Sequence, residues 1–109
     1  MKRSRWKTPE FAIQSGPRLV VDGRIVSLKA QWARRTAIGI PKGGRQVVLV
    51  VVDTRMLTSD LAEHLKTTLD CHNALNLDGG SSTQLWSTLP GVTAVRGLPV
   101  ANGVLVVPR

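Results

Sequence analysis

The stretch ALNLDGGSSTQL, residues 74–85, decides how the rest of the chain is read. Leu75 and Leu77 flank Asn76 in the period-two pattern of a short strand. The strand breaks at Asp78-Gly79-Gly80, and three hydroxyl residues follow, Ser81, Ser82 and Thr83. Adjacent glycines open torsions closed to other residues, so the chain can turn sharply and bring its N–H groups close to a ligand. Two readings follow. The Asp and Gly residues serve only a turn, or the turn is an anion cradle with the Asp78 carboxylate at a strand end, where α/β sheets carry their binding groups.

Working upstream, Leu61, Leu65 and Leu69 recur at four-residue spacing and predict a helix over about residues 58–71, its apolar stripe on a sheet. Thr58 or Ser59 is placed to cap the start, and Asp60 and Glu63 suit the first turn. His64 stands off the stripe as a surface residue. His72 either caps the last helical carbonyls or serves the Asp78 loop. The single Cys71 excludes an internal disulfide and reads as a buried thiol. Before the helix, VVLVVV at residues 47–52 is apolar on both faces, the pattern of a strand covered on both sides and central in its sheet. PKGGR at residues 41–45 lacks the spacing of a phosphate-binding loop and reads as a hairpin turn before that strand. Asp22-Gly23 is a two-residue type I′ hairpin signal between strands at about 18–21 and 24–28. TAIGI at residues 36–40 and the apolar run at 104–107 complete the strands. The result is an α+β fold, a mixed, mostly antiparallel sheet with one main helix.

A chain of 109 residues accommodates one domain, with an irregular basic lead-in over residues 1–10 and the domain over 11–109. A hydrophobic share of 42% with 20% charged residues argues against wholesale disorder. Fifteen Lys and Arg against seven Asp and Glu give +8, which favours anionic partners. Lys2, Arg3, Arg5 and Lys7 concentrate part of that charge in a terminal arm, either simply solvated or reaching for nucleic acid. Trp6, Trp32, Trp86 and Phe11 are scattered rather than arranged as a stacking platform, so nucleic acid ranks last among the polyanions. No run approaches the ~18 apolar residues of a membrane span, and no apolar run of signal-peptide length follows the basic N-terminus.

The stretch around Asp78, with its Cys-His-Asn-Ala entry, resembles the signature of the phosphodiester glycosidase family, which includes the enzyme that uncovers mannose 6-phosphate by removing N-acetylglucosamine. Further similar stretches lie in order: AIQSGPRLVVDG at 12–23, RRTAIGI at 34–40, QVVLVVVD at 46–53 and VANGVLVVPR at 100–109. The resemblance implies a hydrolase of glycosyl phosphodiesters, acting on N-acetylglucosamine-1-phosphodiesters or cell-surface glycopolymers, with extracytoplasmic or secretory-pathway roles. Residues 1–17 hold no counterpart of the family's Asn-Gly-Gly-Phe-Phe-like upstream segment, so the chain is expected to match the C-terminal half to two-thirds of the usual domain.

Few carboxylates are free for chemistry. Asp22 belongs to its turn and Asp60, Glu63 and Asp70 to the helix, leaving Asp78 and Asp53 for catalysis or cation binding. The resemblance favours Asp78, with Asn76 orienting it or bonding a sugar hydroxyl. Guanidinium groups grip phosphodiesters through parallel donors, and Arg18, Arg35 and Arg96 stand in family-like stretches at strand entrances; two of the three are expected to bind phosphate, the alternative for each being a solvated strand-end charge. Gly79, Gly80, Ser81, Ser82 and Thr83 offer amides and hydroxyls to phosphate or sugar, while Gln14 and Ser15 match the first stretch without an assignable contact. No histidine or carboxylate spacing specifies zinc; Asp78 with loop oxygens suits calcium or magnesium. The competing reading is a non-catalytic module binding anionic glycopolymer, in which the +8 charge does the work.

Overall fold

A computed structural model describes residues 15–100 and 103–108. The expected lead-in over residues 1–10, the extended FAIQ segment and Gln14 lie outside the described residues. The element order is β1 (Arg18–Val21), β2 (Arg24–Ile25), β3 (Trp32–Pro41), β4 (Val48–Leu57), α1 (Thr58–Thr67), β5 (Cys71–Asn76) and a single 3₁₀ turn at Gly80–Ser82. The strands form one sheet in the order β2-β1-β5-β3-β4, every pair antiparallel. This is the α+β arrangement expected from the sequence.

Local chemistry explains the turns. Asp22 and Gly23 both take positive φ, 50° and 78°, as a type I′ turn demands, and Val21 pairs with Arg24 across it. The Asp22 N–H donates to Asn73 Oδ1 at 3.1 Å, tying the hairpin to β5. Gly43 and Gly44, also at positive φ, turn β3 into β4. On α1, Leu61, Ala62 and Leu65 are fully buried against Leu19 and Val20 of β1, Ala37 of β3, and Cys71 and Ala74 of β5. Gly39 sits where Cys71 crosses: a Cβ there would stand 2.5 Å from Cys71 Sγ.

Five expectations are corrected. The apolar run of β4 is an edge, not the centre: it pairs with β3 alone, and Val47 and Leu49 are exposed. The chain leaves β4 through α1 and returns as β5 between β1 and β3, so continuous apolarity here marks a strand with two half-covered faces. The helix ends at Thr67 rather than residue 71, because Asp70 at φ 54° turns the chain into β5. Its N-cap position is Leu57, with no side-chain cap; the Thr58 hydroxyl is engaged by Arg35 and Gln31 instead. Residues 104–107 form no strand and stay exposed. His72 lies within β5, its ring against Gly23, and neither caps α1 nor lines the Asp78 cleft.

Candidate functional site

Strand parity places the basic residues of β3. Side chains alternate across a sheet, and Arg35 shares the helix face with Ala37 while Arg34 shares the opposite face with Thr36. Arg35 is buried: Nε donates to the Met56 carbonyl at 3.1 Å, and NH2 donates to Thr58 Oγ1 at 2.8 Å and to the Gln31 carbonyl. Burial pulls its pKa down from the ordinary guanidinium value. The Arg35 expected to grip phosphate is therefore a stitch between β3, the end of β4 and the start of α1.

Arg34 is the residue that sequence reasoning missed. Its guanidinium forms a 2.6 Å ion pair with Asp53 and sits among three carbonyls: Arg96 at 3.2 Å, Gly80 at 3.4 Å and Thr83 at 3.5 Å. A register shift between β3 and β4 pairs Ala33 with Met56 but Arg35 with Val52, which leaves residues 53–55 opposite Arg34 alone. Such irregularities re-aim side chains, and here the re-aimed one is Asp53. The available signal was the alternation itself: of two adjacent arginines on a strand, only one faces the loop.

The loop closes tightly on itself and on Arg34. Gly79 passes so near the Arg34 carbonyl that a Cβ would stand 2.6 Å from it, and Gly80 takes φ 59° to start the 3₁₀ turn. The Ser82 and Thr83 amides donate to the Gly79 and Gly80 carbonyls at 3.0 and 3.2 Å, so these two are not free to cradle an anion. Thr83 is fully buried, its hydroxyl without a partner among the described residues. Ser81 is exposed, and its carbonyl accepts the Leu98 N–H at 2.8 Å. Through that bond the segment carrying Arg96 lies directly on the loop; a Cβ on Gly97 would meet the Thr83 carbonyl at 2.6 Å.

Between this segment and the sheet face opposite α1 runs a cleft of about 820 Å³. It brings together Asp78, Ser82 and Arg96, with Ser15, Gln84 and Trp86 nearby and Leu49, Val51 and Leu77 on the sheet side. Asp78 and Arg96 are its charged lining residues, and neither forms an ion pair among the described residues. Arg18 opens β1 and lines a separate depression with Asp22 and Arg24. Asn76 pairs with Ala37 and so faces the helix side; it is buried, its Nδ2 donating to the Gly16 carbonyl at 3.4 Å while Oδ1 has no partner among the described residues. Arg18, Arg35 and Asn76 thus stand outside the cleft that holds Asp78. Among the described residues no group of three or more His, Cys, Asp or Glu converges as a cation site. Among the described residues no helix is long and apolar enough to cross a membrane.

The fold and cleft define a small α+β domain that presents one carboxylate and one guanidinium on a glycine-hinged loop and the segment strapped across it. A family model described as phosphodiester glycosidase matches residues 1–107, and the chain belongs to the phosphodiester glycosidase family. A crystal structure of a hypothetical protein from Synechocystis is similar at 34% sequence identity and a TM-score of 0.55 over 64% of this chain. The matched part is 16% of that protein's length. No curated protein matches.

Proposed function

We propose that this domain hydrolyses the sugar–phosphate bond of glycosyl phosphodiesters. The observation that carries the reading is the meeting of Asp78, Ser82 and Arg96 on one cleft in a chain of this family. Glycoside hydrolysis ordinarily takes two carboxylates, one protonating the leaving oxygen and one handling water. A phosphate leaves without that protonation, so one carboxylate and one cation suffice. Water adds its oxygen to C1 as the C1–O bond breaks, the bonding pair departs on the phosphate oxygen beside the Arg96 guanidinium, and Asp78 takes the proton from water. Asp78 is the one carboxylate lining the described cleft, and Asp53, outside it, is held by Arg34. Ser82 adds a hydroxyl for sugar or phosphate oxygens.

Release of free sugar from an N-acetylglucosamine-1-phosphodiester tests this. Loss of a general base lowers turnover by roughly 10²- to 10⁴-fold, so Asp78→Asn is expected to fall by that factor while remaining folded. Equal release by both proteins would remove Asp78 from the mechanism.

The +8 charge supports a second reading, a module that binds anionic glycopolymer without cleaving it. That reading predicts retention that weakens steeply with salt, as counterion release requires, and no free sugar.

A further inference from the structure

We propose that Arg34 is a positioning residue: it locks the Asp78 loop to the Arg96 segment and so sets the spacing of the two charged groups across the cleft. Its role in turnover rests on the hydrolytic reading above; the lock itself does not. The carbonyls of Gly80 and Thr83 belong to the loop and that of Arg96 to the segment crossing it, and all three point at one guanidinium. Arg34 therefore bridges two pieces of chain that also meet through the paired Leu85 and Val95 backbones, Leu98 N to Ser81 O, Gln84 Nε2 to the Leu98 carbonyl and the close approach of Gly97. Its backbone takes part as well, because the Arg34 carbonyl lies under Gly79, immediately after Asp78. Asp53 aims the fork from the irregular part of β4. A planar fork serves several carbonyls at once; an ammonium at the same place keeps the charge but loses the geometry.

The test compares the wild-type chain with Arg34→Lys and Asp53→Asn by amide hydrogen exchange and by hydrolysis kinetics. In Arg34→Lys the Ser82, Thr83 and Leu98 amides should exchange at least ~10-fold faster, with the Gly23 and Leu77 amides of the sheet unchanged, since local opening is read segment by segment. Turnover should fall roughly 10- to 100-fold through kcat with KM unchanged, the scale expected when a reacting group is misplaced by about an ångström. Asp53→Asn, which removes a partly exposed pair, should move the same amides by about fivefold or less. Unchanged loop amides in Arg34→Lys would overturn the proposal. So would a uniform loss of protection that includes Gly23 and Leu77, which would mark a role in the whole fold. Faster loop exchange beside a wild-type protein that cleaves no glycosyl phosphodiester would support the lock and overturn the hydrolytic reading.

Discussion

Replacing Gly97 by alanine is the sharpest perturbation of the strap over the loop. The glycine is not required by its torsions but by space: an added Cβ would stand 2.6 Å from the Thr83 carbonyl oxygen and 3.0 Å from that of Ser81. Both are backbone atoms of a closed turn, so neither swings aside as a side chain would. Relieving the contact means lifting the strap by about half an ångström or more, against the Leu98 N to Ser81 O bond at 2.8 Å and the Arg34 contact to the Arg96 carbonyl at 3.2 Å. Overpacking of this kind costs about 1–3 kcal/mol, which in a domain of this size lowers Tm by roughly 4–8 °C per kcal/mol. If the strap peels away instead, the cost appears locally, as faster exchange of the Leu98 amide at a nearly unchanged Tm. Gly103→Ala is the internal control, because a Cβ there meets nothing within 4 Å. Its effect should stay within about 0.5 kcal/mol, as for surface changes generally. Calorimetry and amide exchange on the two variants decide the matter. If Gly97→Ala matches Gly103→Ala on both readouts, the close apposition of strap and loop is refuted.

Two further outcomes follow from the same geometry. Arg35→Lys should lower unfolding stability by about 1–3 kcal/mol, since a single ammonium cannot replace the bonds to Met56, Gln31 and Thr58, yet leave KM for a glycosyl phosphodiester unchanged. Urea unfolding beside steady-state kinetics reads both, and a raised KM with intact stability would return Arg35 to the phosphate site. Cys71 gives a pH dependence whose sign is fixed: burial and then the Asp70 charge push its thiol above the ordinary 9.0. The native state thus holds the proton that the unfolded chain releases. Its contribution is full below about pH 9 and declines as pH rises toward the folded value. Unfolding measured from pH 8 to 10.5 should show that loss, and Cys71→Ala should flatten it.

Features fixed by short-range chemistry were legible in the amino-acid sequence. The Asp22-Gly23 turn, the Leu61 and Leu65 stripe and the break after Leu77 each depend on a few adjacent residues, and each stands where expected. Features set by long-range pairing were not. Nothing within the run at residues 47–52 says that β5 will insert between β1 and β3 and leave β4 at the edge. The make-up of the candidate cleft depends on the same long-range pairing. Asp78, Ser82 and Arg96 line one cleft, whereas Arg18, Arg35 and Asn76, equally polar, are not among its lining residues. Parity along β3 separates Arg34 from Arg35, but which parity faces the loop depends on where α1 packs.

On the proposed hydrolytic reading, water is delivered to the sugar carbon, at Asp78, and not to phosphorus. Hydrolysis of a glycosyl phosphodiester in ¹⁸O-enriched water, followed by mass spectrometry of both products, reads the cleaved bond directly. Label is expected in the released sugar and not in the phosphate, with the signal lost in Asp78→Asn. Label in the phosphate, or no cleavage at all, would contradict it.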